Sequence, residues 1–245
     1  LKILYQSIYY HHARKILYND SFNNLKRIIK EDLIKYINDF KFNEMLDIEK
    51  LYPSYSKYVD TRICSNDGDL FYKYIITKGL LNKLDYSASA HIPVEIKNTN
   101  LLEKTIESMT NKKFKLNDLQ EYMLKNQDEN NIIIASTGIG KTESALIWIG
   151  NNKGFFTLPL KVSINAIYDR VVSENGINFL KENTALLHSD TFIEYLNRAK
   201  NDEIELSHIT QTKQMSLPLT ICTLDQLIDF VFKYPGFEIK LATLA

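Results

Sequence analysis

At 245 residues the chain has room for one large domain or two modest ones, at roughly 100–200 residues per domain. Its 44% hydrophobic and 24% charged residues exclude global disorder, and 8 Gly with 5 Pro exclude a collagenous or linker-like chain. Thirty basic residues balance 30 acidic ones, so a nucleic-acid partner has to be argued from a local basic surface and not from bulk charge.

The first 95 residues read as helices. Leu25, Ile28, Ile29, Leu33, Ile34 and Ile37 recur at three- and four-residue steps, one face of an amphipathic helix with Asp20 or Ser21 as its N-cap. A second such stretch runs from 70 to 84, through Phe71, Tyr74, Ile75, Leu80 and Leu81. Tyr52-Pro53-Ser54-Tyr55 and Ser65-Asn66-Asp67-Gly68-Asp69 are turn signals between them. The polar stretch 96–117, with a short helix around 101–109, reads as a connection.

From 118 to 245, short apolar runs alternate with helical patterns. Strands are predicted at 131–135, 154–158, 185–188 and 219–222, and helices at 142–149, 163–172, 191–200 and 225–233. That alternation predicts a parallel sheet covered on both faces. The fold class is therefore α/β overall: an all-α first part, followed by part of a parallel sheet with flanking helices.

Cys64 and Cys222 stand far apart with no CxxC spacing, which excludes a disulfide framework and a cysteine zinc site and fits a reducing cytoplasm. No apolar run approaches the ~18 residues that span a bilayer. We expect a cytoplasmic location and no membrane partner. Because the chain opens on Leu1 and stops at Ala245 without an obvious terminal element, a fragment is expected.

The most informative segment is Ala135-Ser136-Thr137-Gly138-Ile139-Gly140-Lys141-Thr142, a Walker A pattern with Ala at the first Gly, between a predicted strand and a predicted helix. Its glycines let successive N–H groups turn inward as an anion nest at a helix N-terminus. Lys141 is placed to reach the outer phosphates, and the Thr142 hydroxyl to ligate Mg²⁺. The ATP-site candidates are Thr137, Gly138, Gly140, Lys141 and Thr142. Gln120 joins them by resemblance to superfamily 2 helicases, in which a Gln at this distance bonds the adenine edge and an aromatic, here Phe114, packs on the base.

Beyond the loop, Gly140-Lys141-Thr142-Glu143-Ser144-Ala145-Leu146, the run from Leu158-Pro159-Leu160-Lys161 to Asp169-Arg170, Leu187-His188-Ser189 and Thr220-Ile221-Cys222-Thr223-Leu224-Asp225-Gln226-Leu227 follow in order. This series resembles the first motor domain of the CRISPR-associated helicase-nucleases of type I interference systems. Before it, 78–89 resembles the last stretch of that family's HD nuclease domain, and His11-His12 its paired histidines.

The resemblance implies a RecA-like motor (118–245) joined by a linker (96–117) to the end of an HD-type domain (1–95). It implies ATP and Mg²⁺ as cofactors of the motor and a divalent transition metal in the HD site, with His11, His12 and Asp85 as its partial shell. Partners implied are single-stranded DNA and the CRISPR surveillance complex, with Lys161, Asn165 and Thr223 on the DNA backbone. Leu160 stands where a Thr is usual and Lys161 where an Arg is common.

The adjacent His-Asp pair that names the HD fold is absent from the sequence, and no DEAH box occurs in it. Asp225 and Glu143 are not assigned as catalytic. The expected activity is part of an ATP-dependent translocase and metal-dependent nuclease, with no turnover by this chain alone. The alternative is an inactive truncated form that acts as an interaction module for the surveillance complex.

Overall fold

The computed structural model describes residues 68–199, 206–232 and 236–245, with positions 3, 4, 7, 8, 27 and 31 before them. The helix expected over 25–37 lies outside the described residues save Arg27 and Glu31, which are helical and ion-paired at 2.9 Å. His11, His12 and Cys64 also lie outside them.

In chain order the elements are α1 (Gly68–Ala90), α2 (Leu101–Asn111), α3 (Asp118–Lys125), α4 (Lys141–Ile149), β1 (Gly154–Thr157), α5 (Lys161–Val172), β2 (Thr184–Leu187), α6 (Thr191–Ala199), α7 (Leu206–Lys213), β3 (Leu219–Cys222), α8 (Leu224–Ile228) and α9 (Phe237–Leu244). The strands form a parallel sheet in the order β1-β3-β2, with Gly154 and Thr184 both in register with Leu219. Mixed α/β architecture with a parallel sheet is as expected, and it is consistent with part of a RecA-like fold.

Side chains alternate across the sheet with period two. Phe156, Leu186, Leu219 and Ile221 face the larger core, with Leu146 and Ile149 of α4 and Ile164, Tyr168 and Val171 of α5. Phe155, Leu187 and Cys222 face the other side, against Met215 and Leu227. Every residue of β2 and β3 is buried, which is why these strands read as unbroken apolar runs and not as alternating ones. Burial also pushes the Cys222 thiol up to about 12, so it packs as a small hydrophobe and not as a nucleophile.

Two expectations need correction. The segment 131–135 is not a strand: β3 is flanked on both sides by β1 and β2, the run pairs with neither outer edge, and Ile132 and Ile134 stand 97% exposed. A β-prone run becomes a strand only when a neighbour takes its amides. The helix expected over 225–233 ends at Ile228 and tightens into a 3-10 turn over Asp229–Phe232. Helices α7 and α9 were not anticipated at all.

The stretch 96–117 is held firmly. Asn98, buried, donates to the carbonyls of Gly150 (3.2 Å) and Asn152 (2.8 Å) and accepts from Leu101 N–H at the start of α2. Helix α2 then places Leu101 in the main core and Met109 against Met123 and Ile147. Helix α9 lies along α1, and the buried Lys78 and Glu238 side chains pair across the contact at 3.2 Å.

Candidate functional site

The glycine-rich loop 135–140 runs into α4 with Gly140 as its N-cap. Gly138 and Gly140 have φ of 85° and 88°, in the left-handed region that a Cβ disfavours. Around the loop lies a cavity of about 530 Å³, within the range of small-molecule sites. Its basic lining comes from Lys112, Lys115, Lys141 and Arg170; among the described residues its one acid, Glu143, is ion-paired with Arg170. That excess of cations suits a polyphosphate.

The sheet does not carry this loop. Helix α3 anchors it instead. Asn117 caps α3 by accepting from Gln120 N–H at 3.0 Å, the Gln120 side chain accepts from Asn117 N–H at 3.0 Å, and Asn117 Nδ2 donates to the Ile139 carbonyl of the loop at 2.8 Å. Gln120 is only 3% exposed, and its amide nitrogen lies 2.5 Å from where a Cβ on Gly140 would sit. Thus Gln120 braces the loop, while Phe114, 65% exposed, stands at the rim of the same cavity. Lys141 donates to the carbonyls of Ala135 (2.9 Å) and Ser136 (3.2 Å), folded over its own loop. Thr137 and Thr142 line the cavity as well.

Asn117 was missed in the sequence, although Asn-x-x-Gln before an apolar run is a legible capping signature. We expect Asn117→Ala to cost about 1 kcal/mol of stability and to speed amide exchange at 138–140. Denaturant unfolding and hydrogen exchange check this; unchanged exchange at the loop removes the bracing role.

A second group gathers at the carboxyl ends of the three strands. Lys161 and Asn165 sit on the first turns of α5 after β1, His188 follows β2, and Thr223 follows β3, its N–H donating to the Leu187 carbonyl at 3.3 Å. Asp190 N–H donates to His188 Nδ1 at 3.1 Å, so the ring proton is on Nε2 and is donated to Asn165 Oδ1 at 3.0 Å. This bond commits the Asn165 oxygen and leaves its NH₂ group as the available donor. Burial lowers the His188 pKa, which favours this neutral form. The Thr223 hydroxyl is buried with no hydrogen-bond partner, an unused donor in the same region. Lys161 pairs with Asp190 at 2.7 Å.

The structure therefore brings Gln120 and the loop residues together in one place and Lys161 and Asn165 together in another. The two places lie at opposite ends of α5: Lys161 opens the helix, and Arg170, nine residues on, reaches the loop cavity. At ~1.5 Å per residue these positions are ~14 Å apart along the axis. Asp85 is half-buried on α1, and among the described residues no group of three or more His, Cys, Asp or Glu is arranged to hold a metal.

The chain is 27% identical to the CRISPR-associated nuclease/helicase Cas3 of Methanothermobacter thermautotrophicus, across 91% of this chain and 28% of that protein. It is 30% identical to a protein of Methanocaldococcus jannaschii provisionally named as a CRISPR-associated nuclease/helicase Cas3, across 54% of this chain and 20% of that one. The chain is a homologue of these nuclease/helicases. It spans about a quarter of the length of these curated relatives. No family model and no solved structure matches it.

Proposed function

We propose that this chain supplies the ATP-binding and strand-gripping part of a CRISPR-associated helicase-nuclease motor. The observation that carries the reading is the loop cavity: glycines at positive φ, four cations and one neutralised acid, at the N-terminus of α4. These residues fit a magnesium nucleotide. When bound, the nucleotide supplies the hydrolysable phosphoanhydride that drives movement. The loop amides would hold its phosphates, Lys141 would leave the Ala135 and Ser136 carbonyls to reach them, and the Thr142 hydroxyl would ligate the ion. Gln120 and Phe114 stand on the base side.

Single-stranded DNA is the proposed track, with Lys161, Asn165 and Thr223 donating to its backbone, a mode of contact that suits passage over any sequence. Residues 118–245 form the motor part in this reading, 96–117 the connection, and 1–95 the end of an HD-type nuclease part recruited by the surveillance complex. His11, His12 and Asp85 are the proposed HD-side ligands; among the described residues no group of three or more His, Cys, Asp or Glu is arranged to hold a metal.

Turnover requires a carboxylate free to position water. Among the described residues Glu143 is the one acid lining the cavity, and Arg170 holds it. Steady-state ATP hydrolysis, with and without single-stranded DNA, is therefore expected to show binding without turnover that depends on Lys141. DNA-stimulated hydrolysis abolished by Lys141→Ala would overturn the account of Glu143; absence of nucleotide binding would overturn the proposed function.

A further inference from the structure

We propose that Asp190 is an internal occupant of the strand grip: its carboxylate holds, on Lys161 and Ser189, the place that a backbone phosphate takes when a single strand binds. This deepens the strand-binding reading above and rests on it. One carboxylate oxygen accepts from Lys161 Nζ at 2.7 Å and the other from the Ser189 hydroxyl at 3.0 Å. An ammonium and a hydroxyl are the donors that recur on phosphodiester oxygens. The carboxylate thus presents two anionic oxygens to the same kind of donor pair that would receive a phosphate.

The backbone fixes this occupant in place. Asp190 N–H is committed to His188 Nδ1 at 3.1 Å, and its carbonyl accepts from Glu194 N–H at 3.0 Å in the first turn of α6. Through His188 the same residue sets the orientation of Asn165, so mask and grip share one network. The bonds from Lys161 and Ser189 hold the Asp190 carboxyl below the usual carboxylate range, and it stays charged at neutral pH. Both partners of the ion pair are about half exposed, 48% and 47%, so water and an incoming anion reach it. Exposed pairs of this kind add little to stability and exchange readily for a better anion.

A phosphate entering this site therefore competes with Asp190 for Lys161. Removing the charge while keeping the shape, Asp190→Asn, unmasks the lysine. The test measures anisotropy of a labelled oligothymidylate with the full 245-residue chain as wild type, Asp190→Asn, Lys161→Ala and the double variant, over a salt series. Asp190→Asn is expected to bind about fivefold more tightly than wild type, with the log–log salt slope steeper by ~0.7, one extra phosphate contact on a single strand. Lys161→Ala in the Asp190→Asn background is expected to erase the gain.

Equal or weaker binding by Asp190→Asn overturns the proposal and makes Asp190 a support for Lys161. A gain that survives in the double variant also overturns it, because the change in net charge alone would then explain it. If none of the four proteins binds the strand at the lowest salt, the strand-binding reading itself fails, and the inference with it. Nucleotide binding, measured separately on the same preparations, is untouched by that outcome.

Discussion

Lys141→Ala is expected to weaken binding of magnesium ATP about thirtyfold while leaving the fold intact. A charge-assisted hydrogen bond is worth about 1.5–3 kcal/mol, or roughly 10- to 150-fold in affinity. In the structure the Lys141 ammonium is exposed and bonded only to the Ala135 and Ser136 carbonyls, so its loss removes two solvent-accessible contacts and opens no cavity in the core. The unfolding midpoint is accordingly expected to move little. Lys141→Arg is an informative companion. It keeps the charge, but its planar fork does not reproduce the compact ammonium that the Ala135 and Ser136 carbonyls hold, so intermediate affinity is expected. Calorimetric titration checks all three proteins. Wild-type affinity in Lys141→Ala would mean that the cavity takes its anion elsewhere, with Lys112, Lys115 or Arg170 as the remaining cations.

The strands at 184–187 and 219–222 were legible because burial on both faces leaves an unbroken apolar signature bounded by turns, and 154–157, only partly buried, was legible from its short β-prone run between turns. The same signature misled at 131–135. Nothing in Ile132-Ile133-Ile134 distinguishes a run that has found a neighbour from one that has not, because pairing is decided by residues far away in sequence. The loop was legible from its spacing, yet its mounting was not: the pattern requires a strand before it, and here Asn117 of α3 supplies the attachment. At the strand ends, Lys161 and Asn165 were singled out by resemblance alone. Asp190 was not, since an acid before a helix reads as an ordinary cap, and only geometry shows its carboxylate turned to Lys161.

Helix α9 illustrates the same limit and carries the prediction with the larger effect on stability. Gly79, in the middle of α1, faces α9 so closely that a Cβ there would lie 2.0 Å from the Glu238 carbonyl oxygen and 2.8 Å from Ala242 Cβ. Lys78, one residue before, pairs with Glu238 at 3.2 Å, with the two side chains 2% and 3% exposed. Farther along, Lys83 pairs with Glu95 and donates to the Thr243 hydroxyl at 2.8 Å, and that hydroxyl donates to the Gln214 carbonyl at 3.2 Å. Burial pushes the Lys83 pKa down, against which the bond and charge of Glu95 act. Gly79 is thus the clearance that lets a polar, desolvated contact close.

Intrinsic propensity and packing make opposite predictions at this position. In a helix interior, Gly→Ala is favourable by about 1 kcal/mol when nothing is touched. Here the added methyl collides with backbone, which cannot rotate away, so α9 must move outward and loosen the buried ion pair. We expect Gly79→Ala to destabilise by about 3 kcal/mol, combining overpacking with partial loss of a desolvated pair. Denaturant unfolding gives the sign directly, and hydrogen exchange should localise the loss to α1 and α9. A more stable Gly79→Ala protein would show that α9 does not close on α1 as described. A less stable one with faster exchange in both α1 and α9 would establish that the two helices close on each other through Gly79.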